Sequence, residues 1–165
     1  MPHHYIYNFI FPYTIMFYLI HALLGALIAT NIHSVLLIII ACLAGHFLLD
    51  MIPHWDGSWD KKLFHLTEKI SIKISTFLIH SIDFLIFINL IYLLYFLFGS
   101  KLVVLAAFIS VLPDIMKAGY YTKLRKNRKF MKYLRFHSKI QREVGWKLGL
   151  LTQLIILIII LEALF

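Results

Sequence analysis

His46, Asp50 and His54 recur at intervals of four residues within the stretch from Ala44 to Asp56. On a helix that spacing places them in a stripe along one face. Imidazole nitrogens and a carboxylate in such a stripe suit a borderline divalent cation, zinc first, with manganese or iron as alternatives. Pro53 is expected to end the regular helix, so that His54 can fold back toward its neighbours. Cys42 extends the stripe by one turn and reads as a small apolar contact. An ionisable side chain inside a membrane segment costs about 2.5–3.5 kcal/mol on insertion scales, so each one is treated as functional until placed otherwise.

Further donors are scattered along the chain. His21 lies in the first apolar segment, followed by Gly25, which would let a neighbouring helix approach closely. His80 and Asp83 share a helix face at i, i+3, and Asp114 follows Pro113 near the end of another apolar run. The bland alternatives stand beside these readings. His21 and His80 can hydrogen-bond another helix, Asp83 can pair with His80, and Asp114 can cap a helix or hold a basic side chain from Lys117 onward. Asp56 and Trp55 can anchor at an interface. His3, His4, His33 and His65 read as surface residues. His137 and Gln141, one turn apart, together with Arg135, are placed to meet a phosphate headgroup or a water at the mouth of a site.

The elements that must position these residues are apolar helices. Of the 165 residues, 61% are hydrophobic, and the mean hydropathy is +0.84, well above the roughly 45–50% apolar share of soluble domains. Five segments read as membrane spans, about 9–30, 34–52, 72–98, 102–116 and 148–165, although the fourth is short of the ~20 residues a span needs. Met1–Tyr7 lacks a basic n-region, so the first apolar segment is expected to stay in the mature protein. The expected fold is all-α: one transmembrane domain, a helical bundle of about five spans, with a basic amphipathic interfacial helix within segment 117–147.

The net charge of +8 is concentrated between the spans. That is the pattern of the positive-inside rule rather than of a nucleic-acid-binding domain. It places the N-terminus in the cytoplasm, the C-terminus outside, and the chain in the plasma or cytoplasmic membrane. The stretch 123–147, alternating basic and aromatic residues, is expected to lie on anionic headgroups of the inner leaflet. A single cysteine excludes an intrachain disulfide; the sequence sets no oligomeric state. In this topology Asp50, His54 and Asp114 lie at the inner interface, His46 and His80 one to two turns deeper, and His21 deeper still unless Pro12 delays its helix. A weak internal echo, His21 with Leu49-Asp50 and His80 with Leu112-Pro113-Asp114, suggests two hairpins contributing matched ligands.

Gly45-His46-x-x-x-Asp50, with Pro113-Asp114 closing another helix and histidines spread over several spans, resembles the membrane-bound metal-dependent hydrolases. More distantly, His46-x-x-x-Asp50-x-x-x-His54 is similar to the metal-binding helix of zinc-dependent phospholipase C. The resemblance covers roughly 21–114. It implies a helical fold and hydrolysis of a phosphoester, with His46, Asp50 and Asp114 as ligands and His54 and His80 as additions. Pro-Asp here follows the Gly-His-x-x-x-Asp helix, whereas in those hydrolases it usually precedes it, and their His-Arg-Gly-x-x-His signature has no counterpart.

The enzyme so expected hydrolyses a lipid or prenyl phosphate through a metal-activated water, with Asp83 or Asp56 as general base. The competing class is non-catalytic, a structural metal fastening helices or a small metal or proton transporter. Polar groups clustered toward one side of the bilayer favour a one-sided site.

Overall fold

A computed structural model describes residues 16–55 and 70–165, with the side chains of 70–77 and of Tyr121 left aside. The described chain is all-helical: α1 (Tyr18–Asn31), α2 (Val35–Asp50), α3 (Ile70–Phe98), α4 (Lys101–Lys117), α5 (Arg128–Ile140) and α6 (Trp146–Leu164), with short 3-10 turns between α4 and α5. Three helices are long and apolar enough to cross a membrane, Leu78–Phe98, Lys101–Tyr120 and Trp146–Leu164. α1 and α2 are equally apolar, but at 14 and 16 residues they fall short of the ~20 a perpendicular span needs.

Within the described residues, the helix of the first expected span begins at Tyr18. Residues 9–15 lie outside the described residues, and Met16 and Phe17 precede the helix. Asp83, from the middle of α3, accepts a hydrogen bond from the Tyr18 amide at 2.8 Å and is also reached by the Leu19 amide. A carboxylate there satisfies otherwise unpaired first-turn donors and meets the positive end of the helix dipole.

Small residues set the packing. Ala22, Ala26, Ala29 and Gly25 of α1 are buried, as are Ala106 and Ala107 of α4, and α4 is the principal partner of α1. A Cβ at Gly25 would run into the Ala106 carbonyl and lie 2.9 Å from the Ala107 Cα, so the two backbones touch as close-packed membrane helices do. Gly99, at φ 59°, closes α3 in the left-handed conformation, its amide donating to the Tyr95 carbonyl at 2.9 Å.

The outer faces are apolar. Leu36 and Leu37 of α2, Tyr92 and Phe96 of α3, and Leu154 and Ile159 of α6 are all exposed, Phe96 at 76%. Continuous apolar surface on this scale needs a covering phase.

The basic segment is only partly helical. The amphipathic helix expected over 123–147 is confined to α5, capped at its start by Asn127, whose Oδ1 accepts from the Lys129 and Phe130 amides at 2.9 and 3.2 Å. After α5 the chain is extended and runs parallel to the segment that follows α2. The Arg142 amide donates to the Asp50 carbonyl (3.1 Å), the His54 amide to the Arg142 carbonyl (3.1 Å) and the Val144 amide to the His54 carbonyl (3.0 Å). Backbone pairing with 50–54 competes with helix over 141–145. α6 holds the same segment from its other side. Gly149 packs on the Trp55 backbone, where a Cβ would collide. The Thr152 hydroxyl donates to the Pro53 carbonyl, and Gln153 Nε2 donates to the Trp55 carbonyl at 2.8 Å.

Candidate metal centre

At one end of the bundle, where α2 and α4 finish and α1 and α6 begin, five buried polar side chains meet. The buried stripe of α2 runs Ile38, Cys42, His46, Asp50, apolar for two turns and polar for the last two. α4 contributes Asp114, α5 contributes His137 and α1 contributes His21. Each is at most 1% exposed. The ligand atoms of His46, Asp50, Asp114 and His137 all lie within 4.8 Å of one another, a group that could hold a metal ion.

The hydrogen bonds around His46 and His137 decide which nitrogens face inward. His46 Nδ1 lies 2.7 Å from the Ser110 carbonyl oxygen. A carbonyl only accepts, so Nδ1 donates. Pro113 is one turn on in α4, where its missing N–H leaves the Ile109 carbonyl without its helical donor and loosens this stretch of the ladder. The Tyr133 hydroxyl donates to the Pro113 carbonyl at 2.7 Å, which leaves the phenol oxygen to accept from His137 Nδ1 at 3.3 Å. Burial pushes the Tyr133 phenol above its usual ionisation range, so it remains a donor. Both Nδ1 atoms are therefore engaged outward, and both Nε2 atoms face the interior, where their lone pairs serve a cation once the proton shared between His137 Nε2 and Asp50 Oδ2 is displaced.

Those lone pairs face each other and two carboxylates. His46 Nε2 lies 3.2 Å from His137 Nε2 and 3.4 Å from Asp50 Oδ2. His137 Nε2 lies 2.7 Å from Asp50 Oδ2 and 3.6 Å from Asp114 Oδ1. Acceptors this close and this dry need positive charge between them, protons when the centre is empty or a cation when it is filled. Donors held about 2.1 Å from a tetrahedral ion lie about 3.4 Å apart, which is the scale of these edges. One cation is already present: Lys117 Nζ lies 2.6 Å from Asp114 Oδ1 and is 4% exposed. The expectation that Asp114 holds a basic side chain is thus met, and the same carboxylate belongs to the group that could hold a metal ion.

His21 stacks on the His46 ring, centroids 4.2 Å apart. Its Nε2 lies 3.4 Å from Asp50 Oδ1 and 3.7 Å from Asp114 Oδ2. It is not deeper than the other donors, because α1 starts at Tyr18 and puts His21 in the first turn. His54 is fully buried; its Nδ1 donates to the Ile52 carbonyl at 2.8 Å, and burial lowers its pKa from the ordinary histidine value, so its ring is neutral.

The remaining candidates fall elsewhere. His80 is partly buried on α3 and outside the four-residue group, so the internal echo supplies both aspartates but one histidine. Asp83 caps α1 rather than facing the centre. Arg135 is exposed on α5, and Gln141 ends that helix half-buried, at the start of the strap over His54. Asp56 lies outside the described residues. His137 is the donor misplaced by sequence reasoning, which set it at the headgroups. Phe130, Leu134 and His137 fall at i, i+4, i+7, with Leu134 and His137 buried, so a histidine completing the apolar stripe of a basic helix was the signal. No protein-family model, curated protein or solved structure matches the chain.

Proposed function

We propose that the protein is an integral membrane metallohydrolase that cleaves a phosphoester, a lipid or prenyl phosphate, at the cytoplasmic face. The observation that carries this reading is the inward convergence of two imidazole lone pairs and two carboxylates, with both outward nitrogens fixed by the Ser110 carbonyl and the Tyr133 hydroxyl. A borderline cation suits that donor set, zinc first, with manganese or iron as alternatives. When bound, it would lower the pKa of a coordinated water toward ~7 and polarise a phosphoryl oxygen.

The protein's own groups do the rest. Lys117, buried beside Asp114, offers a positive charge to a phosphoryl oxygen in a site of low dielectric. Asp83, engaged by the Tyr18 amide, positions α1 instead of taking a proton from the attacking water. Exposed Lys123, Arg125, Lys126, Arg128, Lys129 and Arg135 would gather anionic headgroups around the entrance. The positive-inside rule then sets this end of the bundle in the cytoplasm, which leaves the α6 end outside.

The test is hydrolysis of a phosphomonoester lipid by the detergent-solubilised full chain, stripped of metal and then supplied with zinc or manganese. Activity should appear with metal and fall on the order of 100-fold or more in Asp50→Asn and His137→Ala. Stoichiometric metal with no turnover would favour the alternative of a structural metal site.

A further inference from the structure

The carboxylates of Asp50 and Asp114 each have two oxygens, and the two oxygens of each serve different histidines. Asp50 Oδ2 and Asp114 Oδ1 face His46 and His137. Asp50 Oδ1 and Asp114 Oδ2 face His21 Nε2, at 3.4 and 3.7 Å. The edges of the second set, 3.4 and 3.7 Å, fall within the 2.7–4.0 Å range of the first, with one imidazole in place of two, yet His21 lies outside the group of four. Asp50 Oδ1, Asp114 Oδ2 and both nitrogens of His21 are fully buried, and apart from the long contacts of His21 Nε2 with the two oxygens they find no hydrogen-bond partner among the described residues. A buried donor set left unsatisfied is destabilising unless something occupies it.

We infer that the centre is dinuclear: a second divalent cation binds between His21, Asp50 and Asp114, with both aspartates bridging it to the cation held by His46 and His137. This deepens the proposed function and rests on it. Two-metal phosphoester sites hold their ions about 3.5–4 Å apart, a separation that carboxylates spanning two positions provide. His54, one turn beyond Asp50, is fully buried, and its Nε2 has no hydrogen-bond partner among the described residues. With Lys117 included, two aspartates carry one uncompensated negative charge. Two divalent ions reverse that balance, and the surplus positive charge calls for anionic oxygens, a hydroxide and a phosphoryl group. The second ion is expected to bind more weakly, since it enters beside the first.

Full-length protein stripped of metal and titrated with manganese alone gives the test, read by elemental analysis and by electron paramagnetic resonance. The expected result is two manganese ions per chain, bound in two steps, the second producing an exchange-coupled spectrum. His21→Ala should bind one, with an uncoupled six-line signal. Wild-type protein that saturates at one uncoupled ion, lost in His137→Ala, overturns the second site and leaves the mononuclear reading standing. Wild-type protein that binds none overturns both. Two coupled ions persisting in His21→Ala overturns the assignment of His21. The wild-type stoichiometry decides the matter even if the variant fails to fold.

Discussion

Four residues of this chain make sense only together. Ser110 and Tyr133 each take a histidine Nδ1, and through that choice determine what the opposite nitrogen can do. Tyr133→Phe should therefore weaken metal binding about 10–100-fold without removing a ligand, measurable by competition with a chromophoric chelator. Metal binding displaces protons from the donors, so affinity should rise with pH, and titration in weakly buffered solution should release acid. His54 gives a separate pH signature. Its folded pKa lies below the ordinary 6.5, so the unfolded chain binds the extra proton first. Stability from this group is intact above about pH 6.5 and is lost as the pH falls toward the folded value. Denaturant titrations in detergent should show that acid loss, and His54→Gln should flatten it. At this scale His46, Asp50 and Asp114 were legible from spacing and from the cost of burying charge. The distinction between Asp83 as base and as cap was not, because it depends on which helix begins beside it.

Helix boundaries were less legible than the donors. Hydropathy extends the first segment back to residue 9, since apolar residues score alike inside and outside a helix, whereas the described helix starts where Asp83 accepts the Tyr18 amide. That start, more than any property of His21 itself, brings His21 level with Asp50. Asp83→Asn keeps an acceptor and should leave activity near wild type, while Asp83→Ala should cost about 0.5–2 kcal/mol and weaken the His21 contacts. A general base would instead lose its activity in both variants, so a phosphomonoester assay separates the roles. The strap over His54 was hidden for a similar reason: backbone pairing between 142–144 and 50–54 leaves no pattern in side-chain type. Gly149 shows how tightly α6 closes on it. Gly149→Val should destabilise the protein by about 3 kcal/mol, the upper part of the range for overpacking, because the obstacle is the Trp55 backbone and not a side chain that can turn away; thermal unfolding in detergent would measure it.

For the molecule as a whole, composition alone announced an all-helical chain with lipid-facing surfaces, and the exposed faces of α3 and α6 agree with it. The number of crossings was less legible, because α1 and α2 are as apolar as the longer helices but stop after 14 and 16 residues. α1 begins, and α2 ends, at the buried polar groups of the centre. The basic surface around α5 makes a global prediction. Activity on vesicles should increase several-fold when anionic lipid is included, and the gain should disappear at high salt.

The ties from Thr152 and Gln153 to Pro53 and Trp55 have a consequence for biogenesis. A ribosome releases His21, His46 and Asp50 long before Asp114, and His137 and the closing helix last of all. Until α6 has entered the lipid, the nascent chain holds carboxylates with neither their second imidazole nor the wall that keeps water out. A metal held by this centre would therefore be captured as a final act of assembly, and a polypeptide stalled before residue 128 should leave the translocon without a tightly held ion.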